Sequence, residues 1–519
     1  MADRATGGDG RLTRNSAAMV TARFTVAVAG LTTLPMLYDR LGAAEFGIWV
    51  LLGGVVGALA LVDLGLGSAL VRQVARTVAG QPDRMTRAVL GVGLLWGVTL
   101  WLLASAGTVA AWSSLARMVQ LGDLAAEARD ALLILLLGLL CDGAALPWRA
   151  VLEGAQHYTT LAWVTAGTAV LGAVLAVMVV RLGGGLSALA ASTAAVGAVR
   201  TTLVVTAARH RYRRLTPSLR GLRRAGLRDL FNYGLRVQVT NAAGAVNLEL
   251  DRFVLGGVAG PTVAGAFELG SRLLNMFRLP PAIVLMAMFP MAVSRTAAEG
   301  RIWLDRFHLV TTRYLTAFAA VGTALLVVSA EPLIRLWLGQ PVWWATASIV
   351  VLAPSYALNL IAGATAIVLR VENQPGRETG YALLSVVLNL ALTWPLWRLF
   401  GPLGVPLATS CGIAVGTVYF VVRFHRSTGR PIAPTLAAVR PAASAAILAG
   451  LGGTVAARFL PDGPGRLDAA LAVLTRSGVV LLVALGVLVG AGFFSAQDRA
   501  RLRRLTRRPR PVSPMREAA

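Results

Sequence analysis

The chain has 519 residues, 56% of them hydrophobic and only 14% charged, with a mean hydropathy of +0.68. Soluble globular proteins carry roughly 25% charged residues, so this composition excludes a water-soluble fold. The net charge of +25 comes entirely from an arginine excess, since all 49 basic residues are arginine, and its placement argues against nucleic-acid binding.

Apolar blocks of about 20 residues or more have the length that crosses ~30 Å of hydrocarbon as a helix. They predict helices over 16–38, 46–70, 88–111, 128–148, 159–180, 185–208 and 230–250, then over 263–294, 308–330, 343–369, 379–397, 403–422, 436–457 and 469–494. The first block is longer than the 7–15 apolar residues of a typical signal peptide and is expected to be retained. Pro280, Pro281 and Pro290 fall inside the eighth block and predict a kink or a break there. The fold expected is an all-α polytopic membrane protein of about fourteen transmembrane helices. Its units are an N-terminal tail (1–15), an N-lobe of helices 1–6 (16–208), a basic linker (209–229), a C-lobe of helices 7–12 (230–424), helices 13–14 (425–494) and a basic tail (495–519).

Arginine placement gives the orientation. On alternate sides of the predicted helices, one set of segments holds about 32 arginines, including Arg72, Arg149, the run from Arg209 to Arg228 and the tail from Arg499 to Arg516. The other set holds about nine, among them Arg40, Arg117, Arg252 and Arg335. The positive-inside rule puts the rich side, and with it both termini, in the cytoplasm. The excess charge then meets anionic lipid, each near-surface arginine contributing ~1 kcal/mol.

The two lobes echo each other. Helix 1 carries Arg23 and ends at Asp39-Arg40, followed by Leu41-Gly42 and Phe46-Gly47; helix 7 carries Arg236 and ends at Asp251-Arg252, followed by Leu255-Gly256 and Ala264-Gly265. Val151-Leu152-Glu153-Gly154 is matched by Val368-Leu369-Arg370-Val371. An even number of helices per lobe makes this a parallel repeat, a pseudo-two-fold with a substrate path between the halves.

A charge in mid-bilayer costs at least ~2.5–3.5 kcal/mol and is expected to face a cavity or a partner. At 100° per residue, Arg236, Thr240, Asn247 and Asp251 form one stripe on helix 7. Glu268, Arg272 and Asn275 form a second on helix 8, followed by Arg278. Arg23, Arg236, Arg272 and Arg278 are the candidate anion-binding cations, with Glu268, Asn275, Asn247 and Asp251 as supporting polar groups. Asp142, near the middle of helix 4, is the candidate coupling carboxylate. The competing readings are that Arg23 and Arg236 snorkel to headgroups and that Glu268–Arg272 is a neutralised structural pair. No Walker A loop, H-E-x-x-H or G-x-S-x-G occurs, the two cysteines have no metal-ligand spacing, and no cofactor or metal is expected. Transport, not catalysis, is the economical reading.

Several segments resemble the Wzx-type oligosaccharide flippases, the polysaccharide-transporter branch of the multidrug/oligosaccharidyl-lipid/polysaccharide exporter superfamily. They are Arg14-Asn15, Leu41-Gly42-Ala43-Ala44-Glu45-Phe46-Gly47-Ile48-Trp49, Asp63-Leu64-Gly65-Leu66 with Arg72 beyond, and Leu152-Glu153-Gly154-Ala155-Gln156-His157-Tyr158. Asp251-Arg252-Phe253-Val254-Leu255-Gly256, Leu388-Asn389-Leu390 and Gly401-Pro402-Leu403-Gly404 extend the likeness over about residues 11–424. The resemblance implies two six-helix lobes around a cavity and a polyprenyl-diphosphate-linked oligosaccharide as substrate. It also implies diphosphate-holding arginines, matched best here by Arg23 and Arg272. Helices 13 and 14 are similar to the added pair of the lipid II flippase, which is thought to guide the lipid tail. The expected function is inner-to-outer flipping of a lipid-linked glycan by alternating access in a bacterial cytoplasmic membrane, with anionic lipids, and a polysaccharide polymerase or glycosyltransferases, as partners. The alternatives are a lipid II flippase or cation-coupled drug exporter of the same superfamily, and a polytopic membrane glycosyltransferase or acyltransferase.

Overall fold

Hydrocarbon offers no hydrogen bonds, so a long apolar run satisfies its backbone most simply by coiling into a helix. The computed structural model describes residues 3–60, 65–78, 83–220, 250–374, 376–459 and 463–494, and every regular element among them is helical. In the first half these are α1 (Asp3–Ala60), α2 (Leu66–Val78), α3 (Asp83–Ala110), α4 (Trp112–Met118), α5 (Ala125–Gly154), α6 (Tyr158–Arg181) and α7 (Leu186–Arg211). The second half holds α8 (250–259), α9 (Pro261–Val328), α10 (Ala330–Leu338), α11 (Trp343–Ile361), α12 (Gly363–Val371), α13 (Gly376–Phe400) and α14 (Gly404–Thr428), then α15 (Ala433–Ala457) and α16 (Arg466–Gly490). Among the described residues, ten stretches are long and apolar enough to span a bilayer. Three of them, Ala17–Leu59, Pro261–Val328 and Gly376–Thr428, have the length of two crossings each. Of predicted helix 7 (230–250) only residue 250, the first residue of α8, lies within the described residues.

Breaks fall at glycines. Gly42 (φ 76°, ψ 167°) divides α1 into helices 1 and 2, and Gly300 (φ 74°, ψ −167°) divides α9 into helices 8 and 9. Both sit in backbone regions that glycine alone adopts at little cost. Of the kink or break expected at Pro280, Pro281 and Pro290, there is no break: α9 keeps helical backbone angles through all three. Pro280 and Pro290 free the carbonyls of Met276 and Met286, residues that border the cavities described below, where water can satisfy them. Two other boundaries move. Predicted helix 2 does not run on to residue 70, because Leu66–Val78 is a separate helix beginning after Gly65 (φ 70°). Predicted helix 4 continues to Gly154, which brings Arg149 and Glu153 into a helix.

Three features carry the repeat. Gly42 (φ 76°) and Gly260 (φ 85°) are equivalent joints 218 residues apart, each followed five residues later by a glycine, Gly47 and Gly265. Short α4 and α10 occupy matching places ahead of α5 and α11. The turns after α5 and α12 match bond for bond. Gln156 (φ 61°) and Asn373 (φ 58°) sit 217 residues apart, and the His157 and Gln374 amides donate to the Leu152 and Leu369 carbonyls, both at 2.8 Å. The second sequence echo is therefore in register. The first shifts: Gly42 pairs with Gly260, not Gly256, and Asp39-Arg40 is exposed whereas Asp251 and Arg252 are buried inside α8. Arg252, read from the sequence as a loop arginine, is a core residue.

In the N-lobe α1 packs on α6, and α5 on α2, α3 and α7; in the C-lobe α9 packs on α11 and α12, α11 on α14, and α13 on α14. The lobes meet where α1 faces α9 and α10. One apolar cluster joins both lobes at the Gly42/Gly260 end, including Leu37, Phe46, Leu51, Leu255, Phe267 and Ile334. The arginine-rich end has separate cores, one around Leu70 and Leu152 in the N-lobe and one around Phe307 and Phe424 in the C-lobe. There, just after α14, buried Arg430 donates to Asp305 at 2.6 Å and Glu372 at 2.7 Å, tying α9 and α12 to the α14–α15 turn. Burial acts against its charge, but the two carboxylates outweigh that and hold its pKa above the ordinary value. Helices α15 and α16 lie against each other and against the second half of α9 through Ala324, Val328, Ala449 and Val480.

Candidate functional site

Helix 1, which carries the small residues Ala27 and Gly30 on this face, borders with α5, α6 and the first half of α9 a chamber of about 730 Å3 between the lobes. Arg23 of α1, Arg149 and Glu153 of α5, Tyr158 and Thr165 of α6, and Arg272 and Asn275 of α9 line it. Arg23 reaches across the gap and donates to Sδ of Met286 at 3.4 Å. A thioether is a weak acceptor, so this guanidinium retains most of its capacity to bind an anion. Arg272 Nε donates to Glu268 Oε1 at 2.6 Å, and Glu268 Oε2 lies 3.5 Å from Arg252 Nη2. One buried carboxylate thus serves two guanidinium groups. Arg272 keeps 55% of its side chain exposed while Glu268 keeps 7%, so the pair turns its positive member toward the chamber. Arg149 is held by Glu153 at 2.8 Å.

The chamber lies on the arginine-rich side of a seal. Gly47 and Gly265 abut across the lobe interface: a Cβ on Gly47 would overlap the Pro261 carbonyl, and one on Gly265 would meet the Gly47 Cα at 2.7 Å. Trp337 Nε1 of α10 donates to the Leu31 carbonyl of helix 1 at 2.9 Å, and Gln120 Nε2 to the Gly257 carbonyl at 3.1 Å.

Of the residues singled out from the sequence, Arg23, Arg272 and Asn275 come together in this chamber, with Glu268 behind them. Arg278 lies instead in an adjoining cavity, donating to Asn359 Oδ1 at 3.3 Å. Asp251 is buried away from the chamber and accepts a 2.6 Å hydrogen bond from Thr409. Arg236 and Asn247 lie outside the described residues, as does the helix 7 stripe they were to form. Asp142 borders an N-lobe cavity of about 360 Å3 but is ion-paired with Arg200, whose Nε is 3.3 Å from Oδ1 and whose Nη2 also donates to the carboxylate. The charge expected to be available for coupling already has a partner. Arg149, Glu153 and Arg200 were not among the site candidates read from the sequence. The four-residue spacing of Arg149 and Glu153 was the available signal; Arg200 and Asp142, 58 positions apart, offered none.

Repeated helical lobes around a polar chamber define the class: the fold is that of a secondary transporter. It matches the lipid II flippase MurJ in its inward closed conformation with a TM-score of 0.71 at 13% identity, covering 94% of this chain and 99% of that one. An inward-facing multidrug resistance MATE family transporter of the MOP superfamily matches at 0.62 and 16%, over 78% and 98% of the chains. A MOP superfamily transporter from Pyrococcus furiosus, described as having a binding pocket of reversed polarity, matches at 0.57 and 14%, over 81% and 95%. The probable low-salt glycan biosynthesis flippase Agl15 of Haloferax volcanii is 25% identical over 193 residues, 37% of this chain. That match spans 40% of the relative's own length. The sequence pattern of the polysaccharide biosynthesis protein family matches residues 12–295, more than half of the chain. The protein belongs to that family.

Proposed function

We propose that the protein flips a polyprenyl-diphosphate-linked oligosaccharide from the inner to the outer leaflet of a bacterial cytoplasmic membrane by alternating access, with both termini in the cytoplasm. The observation that carries this reading is the chamber's excess of guanidinium over carboxylate. Arg149 is held by Glu153 and Arg272 by Glu268, which leaves Arg23, bonded to the Met286 thioether, as the chamber cation with no carboxylate partner among the described residues. A diphosphate cannot enter hydrocarbon without losing its hydration at a prohibitive cost. Arginines replace that hydration with charge-assisted, bidentate hydrogen bonds. The prenyl chain stays in lipid, and rocking of the lobes, which parts the Gly47/Gly265 contact as the arginine-rich end closes, carries the head across. An inside-negative potential favours the outward step by ~2.3 kcal/mol per charge per 100 mV. A cationic-drug exporter fits less well, because the same excess repels its substrates. Polymerases or glycosyltransferases that make and use the glycan are the natural partners.

The test is flipping of a fluorescent polyprenyl-diphosphate saccharide in proteoliposomes. Arg272→Ala is expected to cut the rate at least ~10-fold, the worth of one charge-assisted hydrogen bond, with Arg272→Lys retaining part of it. Full activity in both Arg272→Ala and Arg23→Ala would overturn the proposal.

A further inference from the structure

The wall formed by α9 does not end at Arg272. Asn275 and Leu279 also border a second cavity of about 650 Å3, enclosed within the C-lobe by α9, α11, α12, α13 and α14. One side of it is a hydrogen-bonded chain. Arg278 lies over the Tyr356 ring at 4.3 Å and donates to Asn359, whose Nδ2 donates to the Tyr381 hydroxyl at 3.2 Å. Beside them Arg370 makes a two-pronged pair with Glu378, at 2.9 and 2.5 Å. The rest of the lining is mostly apolar and aromatic, and Tyr381 joins the two parts, its ring centroid 4.7 Å from that of Phe420.

We infer that this cavity is a saccharide subsite, and that Asn359 and Tyr381 read the sugar attached to the diphosphate. The inference rests on the flippase reading and adds the part of the substrate that this reading leaves without a site. A pyranose has hydroxyls around its rim and C–H groups on its faces. It therefore needs donors and acceptors for its rim and rings or aliphatic groups for its faces, and the lining of this cavity supplies both. A prenyl tail needs no polar wall. A second phosphate would meet Glu378, whose side chain is 27% exposed and already neutralises Arg370. The placement also fits. From Arg272 to Leu279 is seven residues, ~10 Å along a helix, about the reach of the first one or two sugars beyond a diphosphate held at Arg23 and Arg272.

The experiment compares binding of two probes to the full-length protein in nanodiscs: a polyprenyl diphosphate bearing a trisaccharide, and the same polyprenyl diphosphate without sugar. Asn359→Ala and Tyr381→Phe are each expected to weaken the glycosylated probe by roughly 3- to 10-fold, the worth of one hydrogen bond, and to leave the sugar-free probe unaffected. Arg272→Ala should weaken both probes. Tyr381→Phe removes only a hydroxyl, so it decides the matter even if Asn359→Ala does not fold. Equal losses for both probes in Tyr381→Phe, or a loss for neither, would overturn the subsite and leave the flippase reading standing. If the unaltered protein bound neither probe, both would fall.

Discussion

Glu268 is the residue on which the chamber's charge balance turns. With 7% of its side chain exposed, it lies between Arg252 and Arg272. Removing one partner of a buried pair costs about 3–5 kcal/mol, because the other charge is left uncompensated. Glu268→Gln should therefore lower the thermal midpoint in detergent well below that of Glu268→Asp, a difference that differential scanning fluorimetry reads directly. Asp142 leads to a second expectation. Because Arg200 already occupies its carboxylate, flipping at a fixed membrane potential should not change when sodium is replaced by choline. A sodium requirement would restore Asp142 as a coupling group. Neither partnership was visible in the residues taken singly. Glu268–Arg272 was legible because helical spacing puts i and i+4 side by side. Asp142–Arg200 joins two helices, and hydropathy carries no information about which helices are neighbours.

Among the elements, the glycine joints matter most. Helices 2 and 8 approach so closely at Gly47 and Gly265 that no side chain fits between them. Gly47→Val should push the lobes apart at the sealed end. Its readout is a single cysteine at position 27 in a background with Cys141 and Cys411 replaced by alanine. An impermeant maleimide added outside should label this cysteine faster in Gly47→Val than in the parent, and equal rates would show that the contact does not hold the seal. Element identity and number could be read from the sequence because bilayer thickness fixes the length of an apolar run. Element ends were less legible. A helix that lines an aqueous cavity carries charge within its span, so the hydropathy block closed at 148, short of Arg149 and Glu153, although α5 continues to Gly154. Asp251-Arg252 was taken as a helix end for the same reason, since burial of that pair is decided by Thr409 and Glu268, which arrive from other helices.

For the whole molecule, the proposed orientation and driving force are testable together. A tag at either terminus should be protected from protease added outside intact cells and cleaved once the membrane is opened. In proteoliposomes, a potential negative on the side of the arginine-rich face should speed the passage of the diphosphate-linked probe to the opposite leaflet, and collapsing it with valinomycin and matched potassium should remove the gain. At this scale the sequence offers an orientation to test, from arginine placement, and was informative about two halves, since the echo around Leu152 and Leu369 is a local pattern. It could not reveal that the cavities adjoin, because Asn275 and Leu279 acquire that role only when α9 is set between the lobes.

The shared carboxylate behind Arg272 also bears on turnover. On the proposed function, Glu268 is a tethered rival for the guanidinium that would meet an incoming phosphate, present at the high effective concentration of any attached group. Such a rival caps how tightly the anion can be gripped, and it re-forms its own pair as the anion leaves. A carrier must let go as readily as it takes hold, and an arginine with a standing internal suitor is suited to both.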